Sequence, residues 1–162
     1  MSYKDKQREL VRSIEVGFKR GDAPSTIVSS VTNYADDRQI GLTSVSFLSR
    51  ELQYKISSEI IAPLRAADPN QYYYPPESLH LTVQNLKTIS DPPLFDRQYI
   101  EKARKVFAQT VPNHEPLSLD IQGIFELPTS LALCAFSSET YEELVLNLRK
   151  GLEVAGIPDD KK

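Results

Sequence analysis

The sequence is short of the residues on which many kinds of protein chemistry depend. One cysteine, Cys134, in 162 residues excludes an intrachain disulfide and any site built from several thiolates. Cys134 lies in the apolar run Leu131 to Phe136 and is expected to be a buried, inert thiol. Two histidines, His80 and His114, leave few arrangements for proton transfer near neutral pH. Neither sign of charge dominates: 19 basic and 22 acidic side chains give a net of -3, which argues against coating DNA through bulk charge. No run approaches the roughly 18 apolar residues of a membrane span, and the opening MSYKDKQREL has no apolar core of a secretion signal. A cytoplasmic protein without a membrane partner is therefore expected. G-x-x-x-x-G-K-[ST], G-x-G-x-x-G and G-x-S-x-G are all missing, so no P-loop, dinucleotide fold or nucleophile elbow is indicated. The histidines stand apart from any Cys, Asp or Glu cluster at ligand spacing, and no metal or cofactor is expected.

What is present suits one globular domain: 40% hydrophobic and 25% charged residues over a common domain length. A helix is predicted over Tyr3 to Lys19, with Leu10, Ile14 and Phe18 on one face and Gly21 closing it. Pro24-Ser25-Thr26 offers a short helix start, and Ala35-Asp36-Asp37-Arg38 a turn. Alternation predicts a strand over Leu42 to Leu48. A helix over Arg50 to Leu64 carries the stripe Leu52, Ile56, Ile60, with Pro63 weakening its last turn. Tyr72-Tyr73-Tyr74-Pro75-Pro76 reads as extended, and Leu79 to Leu86 as a strand. Beyond the Asp91-Pro92-Pro93 loop, a helix over Asp96 to Thr110 is expected to bury Tyr99, Ala103, Val106 and Phe107.

The strongest strand runs from Leu117 to Leu127, with Leu119, Ile121, Phe125 and Leu127 on one face and Asp120, Gln122 and Glu126 on the other. A corner at Pro128-Thr129 returns it as Ser130 to Phe136, an antiparallel hairpin. A final helix over Ser138 to Ala155 carries Tyr141, Leu144, Val145, Leu148, Leu152 and Ala155 on one stripe. Gly156 ends it, and Pro158 to Lys162 is a polar stop. The element order implies an α+β fold.

On the strand Leu79-His80-Leu81-Thr82-Val83, period two puts His80, Thr82 and Gln84 on one face and the apolar residues on the other. Imidazole beside a hydroxyl suits a phosphate: the hydroxyl donates to a non-bridging oxygen, and the ring takes or gives a proton at a reacting one. His114, followed by Glu115-Pro116, reads as part of a surface turn. The Tyr72 to Tyr74 run serves equally as core cover or as a stacking surface.

The stretch Tyr73-Tyr74-Pro75-Pro76-Glu77-Ser78-Leu79-His80-Leu81-Thr82-Val83 resembles the first signature of the 2H phosphoesterase superfamily, which includes the LigT-like 2'-5' RNA ligases and cyclic phosphodiesterases. The preceding strand and helix, and the later hairpin and helix, follow the family's order from about Leu42 to Pro158. Met1 to Gly41 then reads as an N-terminal helical extension, and 42–162 as the family-like domain. The resemblance implies a bilobal α+β fold with antiparallel sheets and flanking helices. It implies metal-independent chemistry on 2',3'-cyclic phosphodiesters or 2'-5' linkages of RNA or nucleotides, by a histidine acid-base pair. Carried over, His80 becomes one acid/base and Thr82 a phosphate ligand, with Tyr73 or Tyr74 near the mouth as a substrate-binding ring; Gln84, on the same face by period two, is expected to bind substrate beside them. The second His-x-Thr/Ser that the family requires is expected on a strand after Pro158, and the sequence stops four residues later. Three readings stay open: a phosphoesterase represented by a C-terminally incomplete domain that lacks the last strands of its second lobe and is active only when the second motif is supplied, a catalytically impaired nucleotide- or RNA-binding module, and an α+β domain sharing only the framework.

Overall fold

The computed structural model describes residues 1–21, 36–127 and 130–158. The expected helix start at Pro24-Ser25-Thr26, Ala35 of the expected turn, the Pro128-Thr129 corner and the tail from Asp159 lie outside them. The chain divides into two compact units, Gln39–Phe95 and a second made of Met1–Arg38 with Asp96–Lys162. Each holds one antiparallel strand pair, so the fold is mixed α+β.

In the Gln39–Phe95 unit, β1 (Ile40–Phe47) pairs antiparallel with β2 (His80–Ser90). Between them, α2 (Arg50–Ile56) starts at Ser49, whose hydroxyl accepts from the Leu52 amide at 3.3 Å. The expected stripe is present: Ile56 is buried, Leu52 and Ile60 half-buried. The helix does not end at Leu64 but passes through a π-helical turn, Ser57–Ile61, into α3 (Ala62–Ala67). Pro63 thereby falls in the first turn of a new α segment, where its missing N–H costs little. Buried side chains of this unit are Ile56, Leu86 and Gln84.

The other unit contains α1 (Tyr3–Arg20), α4 (Arg97–Thr110), β3 (Leu119–Leu127), β4 (Ser130–Ser137) and α5 (Glu139–Val154). Local signals fix its helix ends. Ser2 and Asp5 form a reciprocal cap on α1, and Gly21 closes it at φ 76°. Asp96 caps α4 by accepting from the Tyr99 amide at 2.7 Å. Gly156 takes φ 75° beyond α5. The apolar stripe of α5 contributes buried Leu144, Leu148 and Leu152, and α4 contributes Ala103 and Val106, with Phe136 and Ile157 completing the core. Tyr99 and Phe107, expected to be buried, are half-buried.

The two helices approach closely at Gly151, where an added Cβ would meet Val106 Cγ1 at 2.8 Å. Alanine ordinarily gains about 0.5–1 kcal/mol over glycine in a helix. Here the stiff, buried Val106 must move, and overpacking costs about 1–3 kcal/mol. Gly151→Ala is therefore expected to lower stability by about 1 kcal/mol net, read as an earlier urea midpoint.

The hairpin pairs as expected, from Leu127↔Ser130 to Leu119↔Ser137, but its register shifts between Ile121 and Ile124. One extra residue of β3 is absorbed there, beside Gly123 at φ 104°. Side-chain alternation reverses across this bulge. Asp120, opposite Phe136, and Phe125, opposite Ala132, share one face; Ile121 and Ile124 share the other. The single apolar face expected from period two is thus split. Helix α1 lies against β3, β4 and α5. Its half-buried positions are Tyr3, Lys4, Gln7, Val11, Ile14, Gly17 and Phe18, while Leu10 is 60% exposed. The contacting stripe is rotated away from the expected Leu10.

Candidate functional site

The segment before β2 explains how His80 is held. Pro75 and Pro76 lead into a short 3-10 turn, Pro76–Ser78, tied by the Ser78 amide to the Pro75 carbonyl at 2.9 Å and the Leu79 amide to the Pro76 carbonyl at 3.1 Å. The Ser78 hydroxyl also donates to the Pro75 carbonyl, at 2.7 Å. Proline's fixed φ presets such a turn. The turn leaves the Ser78 carbonyl 2.7 Å from His80 Nδ1. A carbonyl only accepts, so Nδ1 carries the proton, and in the neutral ring Nε2 is the nitrogen that can take one.

His80 opens β2 opposite Phe47, and Thr82 stands opposite Val45. Both pairs are two residues apart on both strands, so His80 and Thr82 share a face, and both are exposed. The Phe47 ring meets the imidazole edge-on, with centroids 6.3 Å apart, and is itself 64% exposed. Periodicity within the His80 strand could not reveal this neighbour, because it comes from a strand 33 residues earlier in the chain, read from the register Phe47↔His80. Ser78 was equally hidden: it acts through its carbonyl, which every residue has.

Gln84 does not join the His80 and Thr82 face. The register steps from Val45↔Thr82 to Ser44↔Gln84, so Val83 is an extra residue on β2 and the alternation reverses after it. Gln84 is buried. Its Nε2 donates to the Asn85 carbonyl at 3.1 Å, and its amide donates to Ser44 Oγ at 3.1 Å. That placement suits a strut within the sheet.

The tyrosines divide. Tyr73 Oη donates to the Asp68 carbonyl at 2.9 Å, and the Arg65 guanidinium covers its ring at 5.1 Å. Both its hydroxyl and one ring face are engaged in holding the 68–76 segment to the end of α3. Tyr74 and Tyr72 meet edge-on at 5.2 Å and are 61% and 67% exposed. Of the expected site residues, the structure brings together His80 and Thr82 and adds Phe47.

His114, in the other unit, follows the 3-10 turn Val111–Asn113 as expected of a turn residue, and its Nε2 accepts from Asn147 Nδ2 at 3.3 Å. Cys134 is half-buried rather than buried; burial and the Glu15 carboxylate push its thiol up, away from the reactive thiolate form. Among the described residues, no group of three or more His, Cys, Asp or Glu side chains is placed to hold a metal ion. No described helix is long and apolar enough to cross a membrane.

Comparison with family models, with curated proteins and with solved structures finds no match to this chain.

Proposed function

We propose that His80 and Thr82 form one half of a metal-independent phosphodiester site of the 2H type, acting on 2',3'-cyclic phosphodiester or 2'-5' linkages of RNA or nucleotides. The supporting observation is the pair itself: an exposed imidazole with Nδ1 committed to the Ser78 carbonyl, beside a hydroxyl on the same face of β2. In this reading, Nε2 takes the proton of an attacking water as its oxygen bonds to phosphorus. Thr82 Oγ1 donates to a non-bridging oxygen as negative charge grows there. The departing ribose oxygen receives its proton from a second acid, the partner imidazole in the 2H scheme. Two compact units, each with an antiparallel pair, are in keeping with the bilobal architecture that the resemblance implies.

A second reading has its own support. The sequence contains one His-x-Thr/Ser motif, and a single imidazole supplies one of two proton transfers. A module that grips a phosphate and does not turn it over needs no more than that. Titration of a 2',3'-cyclic nucleotide by calorimetry tests what the two readings share. His80→Ala is expected to weaken binding about tenfold, the loss of one hydrogen bond to a charged group. Equal affinities would remove His80 from the site in both readings. Release of nucleoside monophosphate separates the enzyme from the binding module.

A further inference from the structure

Helix α1 is attached differently from the other long helices of its unit. None of its 18 residues is buried, whereas α4 and α5 bury five between them. Its half-buried positions, Tyr3 with Lys4, Gln7, Val11, Ile14, and Gly17 with Phe18, follow one another at spacings of three and four, the seam of a surface-lying helix. Much of what fills that seam is polar. Lys4 Nζ pairs with Asp120 of β3, Lys6 Nζ with Glu142 of α5 at 3.3 Å, and Arg8 Nη2 donates to Gln122 at 3.1 Å. The Tyr3 amide donates to Glu139 at 3.1 Å, and Gln7 Oε1 accepts from the Ser137 amide at 3.0 Å. Aromatic contacts at the two ends, Tyr3 with Tyr141 at 6.5 Å and Phe18 with Phe125 at 6.0 Å, complete the attachment.

The charges on the two sides are complementary: Lys4, Lys6 and Arg8 come from α1, and Asp120, Glu139 and Glu142 from the surface beneath. Three carboxyls at this junction are held below the usual carboxylate range. For Asp5 the cause is the Ser2 hydroxyl, for Asp120 it is Lys4, and for Glu139 it is the Tyr3 amide. Arg8 adds to the effect on Asp5 and Asp120, and Lys6 to that on Glu139; Asp5 opposes it at Glu139. Groups depressed in the folded state contribute stability above their ordinary values of 3.8 and 4.5. That contribution is lost as the pH falls through the depressed values. The ionic part of the hold on α1 is thus complete at neutral pH and lies within reach of solvent ions.

A natural reporter lies underneath. Cys134 alternates with Phe136 and Ala132 along β4, and those residues face Asp120 and Phe125 across the hairpin. It therefore stands on the face that α1 covers, where the Glu15 carboxylate acts on it. It is the one thiol of the sequence.

We propose that α1 is a detachable strap: a salt-sensitive clasp of Lys4 on Asp120 and Lys6 on Glu142, backed by the Arg8 hydrogen bond to Gln122, holds it over the β3–β4 face, and its release uncovers Phe125, Cys134 and Phe136 while α4 and α5 remain packed. Exposed ion pairs weaken as the screening length falls from about 30 Å at 0.01 M salt to about 3 Å at 1 M. A buried apolar core does not weaken in this way. The strap is a device of this unit and does not depend on the chemistry proposed at His80.

The test is the rate at which Ellman's reagent labels Cys134 in the full chain at neutral pH, with hydrogen exchange followed in parallel. Raising the salt over that range is expected to speed labelling about three- to tenfold. The double substitution Lys4→Ala with Lys6→Ala, which removes both ion pairs, should label that much faster at low salt and lose most of the salt dependence. Amides of α1 should lose protection under the same conditions, while those around Leu144 to Leu152 keep theirs. A labelling rate indifferent to salt and to the substitutions would overturn the proposal. So would loss of protection in α1 and α5 together, because Cys134 would then be reached only by unfolding of the whole unit.

Discussion

Replacing His80 with alanine is expected to slow hydrolysis of a 2',3'-cyclic nucleotide about 10²- to 10⁴-fold, the usual worth of one positioned proton-transfer group. The side chain is exposed, and its described neighbours are the Ser78 carbonyl and the Phe47 ring. Its loss should therefore leave the unfolding midpoint within about 0.5 kcal/mol of the parent, so lost turnover would report chemistry rather than folding. Removing the Thr82 hydroxyl as Thr82→Val keeps the β-branched shape that suits a strand. It is expected to cost about 10- to 100-fold, one hydrogen bond to a charged oxygen. The inequality between the two substitutions is part of the prediction. Equal losses would point to a shared structural role, and turnover that survives His80→Ala would defeat the mechanism.

Leu148→Ala should be the most damaging of the apolar substitutions, costing about 2–5 kcal/mol. Leu148 is the most completely enclosed side chain described, with 0% of its surface exposed. It sits mid-stripe on α5 between buried Leu144 and Leu152. Burial of such a side chain contributes about 1.5–3 kcal/mol by area alone, and the cavity left by truncation adds to that because a packed interior closes only in part. Neighbouring Leu146 is 57% exposed on the same helix, and Leu146→Ala should shift stability by less than about 0.5 kcal/mol. Chemical denaturation of the two variants checks both figures. Comparable losses would mean that α5 does not pack in the register described.

The sequence was legible wherever one local rule decided the outcome. Gly21 and Gly156 mark helix ends because a left-handed closing residue needs only its own backbone freedom. The stripe of α5 follows from a period that this helix keeps. Strand faces were harder, and for one reason. Gln84 and Phe125 were each assigned to the wrong company because an extra residue, at Val83 and beside Gly123, reverses alternation without altering the composition of the strand. At α1 the error was energetic. Leu10 is the more apolar choice, yet the helix turns Lys4 and Gln7 inward because Asp120 and the Ser137 amide wait there. At the candidate site, His80 and Thr82 could be read from one short strand. Phe47 and the Ser78 carbonyl could not, since one depends on pairing between distant strands and the other on backbone.

The interrupted order of the larger unit also bears on how the chain is made. Lys4 meets Asp120 across 116 residues of sequence, and Lys6 meets Glu142 across 136, with the whole of Gln39–Phe95 in between. At about 5–20 residues per second of translation, α1 waits roughly 6–27 s for its partners. Most helical stability comes from packing of an amphipathic face, and the face carrying Val11, Ile14 and Phe18 has nothing from β3, β4 or α5 to pack on throughout that interval. The intervening unit, whose strands pair within one continuous stretch, can complete itself on the ribosome first. The face of α1 is thus covered last, after β3, β4 and α5 have been made.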